Sequence, residues 1–456
     1  MSKKYDVIVV GAQTGGSAAG LVLAKMGLKV ALLDSKNYEK IGEKVCGDAT
    51  SPHHFERIKK DYGISIDPPR GEEIRQEVEG FYFITPDRNT KLRLDLPGGY
   101  IIDRFAFVRR LFKSAEDAGC EILHSTRVRK PIIENDAVTG VEVRQEGNIA
   151  VLSAKVVVDA SGINAAIRRE LDPEKTFMDQ TIQGRDMCYC YREIRDLKHE
   201  IDEPGMMRLF FDQELCPGGY YWAFPAGPTK VNAGLGVEVT GSQPSAKQQF
   251  VEHVLKGDKE FSGVDFREST LVHGGGARVP LRRPIDTLVW NGLCLVGDAG
   301  SIVKPTDGGG IGLSVISAAM TAQPISDAIE QGDISRLGPL WKYNVAVMKN
   351  IGAVNAPLAI LKLIVTQATN KQINEVLGKG LLTAEDLVSA NSGKGLSIGQ
   401  FEKIKRVLRG RKVLRLVLKL RSGLKSYNKA EKLYQSYPED FESFLEWRKK
   451  IVKLYA

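Results

Sequence analysis

The sequence predicts an α/β fold in which a parallel-sheet domain is interrupted by an antiparallel sheet and followed by a helical C-terminal region. Three observations carry this: a strand–turn–helix–strand unit at the start, two later apolar strands ending in small-residue turns, and alternating strands between about 170 and 275. Tyr5 to Val10 is a β-branched run suited to a buried parallel strand. Gly11-Ala12-Gln13-Thr14-Gly15-Gly16 is the turn, Ser17 to Met26 a helix of small residues, and Gly27 its stop. Lys29 to Leu33 is a second strand ending in Asp34, so the unit has the Rossmann-like dinucleotide-binding rhythm. Asp34 follows Gly16 by 18 residues, close to the ~20 expected before a ribose-binding carboxylate. Gln13 stands where that fingerprint has its second glycine, and its side chain either turns away or crowds the phosphate.

The next strand is Val156 to Val158, ending in Asp159-Ala160-Ser161-Gly162. Another is Leu293 to Val296, ending in Gly297-Asp298-Ala299-Gly300, then Pro305 and Gly308-Gly309-Gly310-Ile311-Gly312. That glycine cluster enters a helix expected over Leu313 to Ala322, whose free N–H groups suit an anionic or electron-rich ligand edge. Asp298 is placed for a ribose or ribityl hydroxyl, or is simply a turn residue. Between these segments, Asp186 to Glu193, Met206 to Asp212, Tyr220 to Phe224 and Lys230 to Val239 alternate as sheet strands do. No second glycine fingerprint follows a strand there, which argues against a separate nicotinamide domain. The expected layout is 1–165 nucleotide domain, 166–275 inserted antiparallel substrate domain, 276–335 return of the nucleotide domain, and 336–456 helical.

Composition sets the class. Of 456 residues 43% are hydrophobic, too many for a disordered chain, and six Cys are too few for a disulfide scaffold, as expected of a reducing compartment. The start lacks a secretory pattern, and the most apolar stretch, Ile351 to Val365, carries Asn355, Pro357 and Lys362. A cytoplasmic protein lying at the inner face of a membrane is expected. Residues 401–456 hold 16 Lys+Arg against 6 Asp+Glu, and ten basic residues with no acid run from Lys403 to Lys425 among Leu and Val. This reads as a membrane-surface element or as helices packed on the body with snorkelling lysines. Nucleic acid is not expected, because stacking aromatics are missing from the run.

The three nucleotide segments together resemble the p-hydroxybenzoate hydroxylase superfamily of FAD proteins. Two local strings narrow this: Cys46-Gly47-Asp48 after the first unit, and Pro217-Gly218-Gly219-Tyr220-Tyr221-Trp222-Ala223-Phe224-Pro225 with Gly234-Leu235-Gly236 beyond it. With them the chain resembles the geranylgeranyl reductase family, especially its archaeal lipid-saturating branch. The resemblance implies a Rossmann-like FAD-binding domain and FAD-dependent saturation of prenyl C=C bonds on membrane lipids or their precursors. It also implies an ADP site at Gly11, Gln13, Gly15, Gly16 and Asp34, with Arg104 near the pyrophosphate. Asp298, Gly309, Gly310 and Ile311 would meet the ribityl chain and ring edge, with Cys46 and Gly47 beside the flavin.

The chemistry points to further candidates. An unactivated alkene needs a hydride at one carbon, a proton at the other, and an apolar wall, because it offers no hydrogen-bond handle. Tyr220, Trp222 and Phe224 would share one strand face as that wall, or simply pack the sheet, with Tyr221 on the other face. Cys46 is the candidate proton donor or alkene-orienting thiol, and Asp48 its partner; a buried inert thiol is the plain alternative. Cys188 and Cys190 are read as packing rather than metal ligands. His53 and His54 are read as surface or N-cap residues, Lys44 as solvated, and His273 has no assigned role. Three function classes remain: the prenyl reductase, a flavin monooxygenase or halogenase, suggested by the Gly219-to-Pro225 string, and a lipid-binding relative that has lost FAD, suggested by Gln13. The electron donor, ferredoxin or NAD(P)H, is not encoded in any motif.

Overall fold

A computed structural model describes residues 3–238, 245–257, 263–380, 383, 386 and 414–455. The chain begins β1 (Lys4–Val10), α1 (Thr14–Lys25), β2 (Val30–Leu33), β3 (Ala49–Thr50), α2 (His53–Tyr62), β4 (Ile74–Ile84), β5 (Lys91–Ile102) and α3 (Arg104–Asp117). It continues β6 (Glu121–Leu123), β7 (Thr126–Glu134), β8 (Ala137–Gln145), β9 (Asn148–Asp159), α4 (Pro173–Thr176), β10 (Met187–Asp196), β11 (Met206–Phe210), β12 (Tyr221–Pro225) and β13 (Lys230–Glu238). Then come α5 (Ala246–Gln249), β14 (Thr270–Pro280), β15 (Val289–Trp290), β16 (Leu293–Leu295), α6 (Ile311–Ala319) and α7 (Ala322–Gln331). The helices α8 (Leu340–Val347), α9 (Ala353–Val365), α10 (Asn370–Gly378), α11 (Leu414–Gln435) and α12 (Phe441–Tyr455) follow.

The first sheet has the order β15-β16-β9-β1-β2-β6, with β7 and β8 attached through β9. β1 lies parallel to both neighbours, with Val10 opposite Leu33 on one side and Asp159 on the other. β16 is parallel to β9, with Leu295 opposite Asp159. These strands end level, so Gly11, Asp34, Ala160 and Val296 leave the sheet along one edge. Open parallel sheets bind ligands at that edge.

The second sheet has the order β14-β10-β13-β12-β11-β4-β5-β3. It corrects the expectation of an antiparallel insert confined to 166–275. The strands β3, β4 and β5 come from residues 49–102, and β11 pairs with β4 in parallel. The physical reason is the fully buried β11, whose backbone groups need a partner on both sides. β4 supplies one side, turning Val78, Gly80, Tyr82 and Ile84 inward.

The C-terminal helices are part of the body. The Tyr437 hydroxyl donates to Asp286 O at 2.8 Å and accepts from Asn344 Nδ2 at 2.7 Å. Tyr437, Phe444, Trp447 and Ile451 share the core cluster that contains β1. One helical run, Leu340–Val365, is long and apolar enough by length and composition to cross a membrane, but most of its apolar window is buried inside the protein. Of the basic run from Lys403 to Lys425, residues 403–413 and the side chains of 414–422 lie outside the described residues.

Candidate active site

The level strand ends enclose a cleft of about 520 Å³, lined among others by Gly11, Gln13, Gly15, Asp34, Lys44, Arg104 and Asp298. Its floor is a turn that tolerates only glycine at two places. Gly11 has φ +97°, and a Cβ there would stand 2.7 Å from Ala160 O. A Cβ on Gly16 would stand 1.6 Å from Gly11 O, so Gly16 serves the turn from behind rather than the cleft wall. The helix α1 has no side-chain cap and no acid in its first turn, which leaves its positive end bare toward the cleft.

These residues fit an FAD-type dinucleotide on the structure's own terms. Asp34 is buried and accepts from Ala12 N (2.9 Å) and Lys36 N (2.9 Å), leaving lone pairs for hydroxyls. Arg104 is buried, with Nη2 donating to Thr14 Oγ1 at 3.2 Å and Nε without a partner among the described residues. Both amide atoms of Gln13 are likewise buried and unpartnered. Lys44 is exposed, as expected of a solvated lysine, but it is not without a partner. It reaches across the cleft to pair with Asp298 at 3.0 Å.

Beyond Lys44, Cys46-Gly47-Asp48 forms a second centre. Asp48 is 5% exposed and left-handed, with φ +60°, a costly conformation for a non-glycine residue. Buried partners hold it there. Asn232 Nδ2 donates to Cys46 O (2.9 Å) and Asp48 Oδ2 (2.9 Å). Arg192 donates through Nε to Cys46 O (2.9 Å), with Nη2 3.4 Å from Asp48 Oδ2 and Nη1 2.9 Å from His273 Nδ1. Burial pushes the Asp48 carboxyl up to about 6, against the pull of the Arg192 and Arg104 charges and of a hydrogen bond with the Cys46 side chain.

The turn rests on aromatic rings. A Cβ on Gly47 would stand 3.1 Å from Phe224 Cε2 and 3.7 Å from Trp222 Nε1. Trp222 Nε1 donates to Asn232 Oδ1 at 3.1 Å, so the wall and the turn share one hydrogen-bonded residue. Trp222 and Phe224 lie on one face of β12 with Tyr220 just ahead of them, while Tyr221 packs into the opposite core. The Tyr220 hydroxyl donates to Asp307 O, which ties the wall to the loop before Gly308–Gly310. Ring contacts run on from Phe224 through Trp222, Tyr220 and Phe211 to Phe83.

The structure thus gathers Gly11, Gln13, Gly15, Asp34, Arg104 and Asp298 into one cleft, and Cys46, Gly47, Asp48, Tyr220, Trp222 and Phe224 into an adjoining cluster. Gly309 and Ile311 flank Gly310, the residue at the start of α6, which lies beside Asp298: a Cβ on it would stand 3.5 Å from Asp298 Oδ1. Arg192, Asn232 and His273 were missed as site residues. The available signal was a buried-strand run broken by Asn232 and Arg192. His54 also departs from its surface reading. Its imidazole presses on Gly312, where a Cβ would stand 2.0 Å from the ring, and burial lowers its pKa to about 4. His53 is the exposed first residue of α2.

A family model described as the geranylgeranyl reductase catalytic domain matches residues 186–277, and one described as FAD dependent oxidoreductase matches 6–167. A digeranylgeranylglycerophospholipid reductase of Sulfolobus acidocaldarius is 35% identical over 98% of this chain and 96% of its own. One from Methanothrix thermoacetophila is 31% identical over 82% of this chain and 90% of its own. Among solved structures, a geranylgeranyl bacteriochlorophyll reductase-like protein from Thermoplasma acidophilum has TM-score 0.74 at 22% identity, covering 93% of this chain and 100% of that one. The myxobacterial chondrochloren halogenase CndH has TM-score 0.64 at 17% identity, covering 99% and 97%. At those identities the two structures share the fold and carry no more.

Proposed function

The chain belongs to the geranylgeranyl reductase family of FAD-dependent oxidoreductases, and from that premise we propose how its residues perform the reaction. It is an FAD-dependent reductase that saturates C=C bonds of geranylgeranyl chains. The finer reading is that the chains belong to a digeranylgeranylglycerophospholipid. The observation that carries the reading is the Cys46-Gly47-Asp48 turn seated on the Trp222–Phe224 wall, beginning two residues beyond Lys44 in the lining of the dinucleotide cleft.

Once reduced, FAD supplies the hydride. The Gly11–Gly16 turn, the start of α1 and Arg104 hold its pyrophosphate. Asp34 takes the adenosine ribose, and Asp298 with Gly309, Gly310 and Ile311 takes the ribityl chain and ring edge. Trp222, Phe224 and Tyr220 orient the alkene by shape and keep water out. Cys46 gives its thiol proton to the second carbon, and Asp48 returns a proton to the sulfur. A carboxyl titrating near 6 can hold that proton close to neutral pH, whereas one at the ordinary value of 3.8 could not.

The donor that reduces the flavin is ferredoxin or NAD(P)H. The protein lies against the cytoplasmic face of the membrane. In support of this, exposed Lys425, Lys429 and Lys432 line one face of α11 opposite buried Tyr427, Ala430 and Tyr434.

The test is spectroscopic. Protein loaded with FAD and reduced by dithionite should reoxidise anaerobically when given a digeranylgeranyl phospholipid, with saturated product formed in step. Reoxidation that needs oxygen and ignores the lipid would instead support a monooxygenase or halogenase.

A further inference from the structure

We propose that the side chain of Gln13 is itself a ligand of the FAD pyrophosphate, gripping it together with Arg104. The proposal rests on FAD being the cofactor. In the dinucleotide fingerprint the second glycine lets the backbone approach the phosphates. A side chain there is a loss only if it occupies the phosphate site without bonding to it.

Gln13 lies at the N-terminal end of α1, yet its side chain makes no cap. Its Nε2 and Oε1 are both buried without a partner among the described residues, though the residue lines the cleft. Burying an amide with neither atom bonded is unfavourable unless a partner arrives. Arg104, 8% exposed, lines the same cleft with its Nε also unpartnered, and its Nη2 is tethered at 3.2 Å to Thr14, the residue after Gln13. Two unsatisfied donors therefore meet at a bare helix N-terminus, where the dipole favours an anion. A phosphate group accepts from both donors, Gln13 Nε2 and Arg104 Nε, and is favoured by the helix end, while Gln13 Oε1, an acceptor, takes no bond from it. Gln13 thereby supplies from its side chain what glycine supplies by exposing backbone.

Deflavinated protein titrated with FAD, followed by flavin fluorescence, tests this. Gln13→Gly should weaken FAD binding by about tenfold or more, as expected for a hydrogen bond to a charged group. Gln13→Glu, equal in size but anionic, should weaken it further. The melting temperature of the apoprotein should stay level or rise in Gln13→Gly, while the increase on adding FAD shrinks. If Gln13→Gly binds FAD as tightly as the parent or tighter, and Gln13→Glu matches the parent, the side chain only fills space and the proposal fails. A parent protein that binds no FAD overturns the proposal and the cofactor together, so the two failures are distinguishable.

Discussion

The dinucleotide cleft and the Cys46–Asp48 centre adjoin, but they are built by opposite means. The cleft is backbone: a turn that admits only glycine at Gly11 and Gly16, a helix end, and strand ends brought level by parallel register. The second centre is side chains: a strained Asp48 held by Asn232 and Arg192 from two distant strands, against rings from a third. A backbone site fails all at once when a side chain intrudes. A side-chain site fails by degrees, one function at a time.

The largest effect should come from Gly16→Ala. Its methyl would lie within bonding distance of Gly11 O, so the turn must open. The expected outcome is protein purified without flavin and destabilised by about 3 kcal/mol or more. Retained yellow colour at parental occupancy would show that the backbone is less decisive than argued.

Next come the centre's own groups. Cys46→Ala and Asp48→Asn should each slow anaerobic reoxidation by lipid by roughly 10²–10⁴-fold, the range for lost general acid catalysis, with the flavin spectrum and FAD affinity unchanged. A variant that reduces lipid at the parental rate would remove its residue from the proton path.

A smaller loss is expected for Asn232→Ala, about 10–100-fold, because it acts through the turn and the wall rather than on the alkene. It removes the 2.9 Å hydrogen bond that favours the ionised Asp48 carboxylate, so the apparent pKa seen in the pH–rate profile should rise. An unmoved profile with lowered rate would mean that Asn232 only packs Trp222.

The same contrast explains what the sequence disclosed. Gly11, Gly15 and Asp34 were legible because strand, turn and helix within one contiguous unit dictate the cleft, Asp298 because a third strand repeats the pattern, and Arg104 only through the family resemblance. Arg192 and Asn232 were not, because strand register alone brings them to residues 46–48 from 140 or more positions away, and His273 reaches the centre only through Arg192. The period-two alternation of β4 was visible, but nothing local to residues 74–84 says that its partner is β11. His54 looked like a surface residue because a histidine at a helix start usually is one. Its burial depends on Gly312, which leaves the room for its ring.

The smallest effects are those of pH on two desolvated side chains, Asp48 in the second centre and His54 against Gly312. The folded-state value of Asp48 is about 6, above its ordinary 3.8, so the folded protein holds that proton more tightly than the unfolded chain does. Its contribution to stability is therefore greatest at low pH and falls as pH rises from about 3.8 through 6. His54, lowered to about 4 from 6.5, has the opposite sign: the unfolded chain takes up the proton first, so its contribution rises with pH from about 4 to 6.5. Between pH 4 and 6 the two oppose each other, at up to about 1.4 kcal/mol per pH unit each. In urea unfolding, the stability difference Asp48→Asn minus parent should therefore grow with pH over that window, while His54→Gln minus parent should decline. Two flat differences would mean that neither group is as desolvated as its surroundings imply. A slope in only one would show which of the two side chains water reaches.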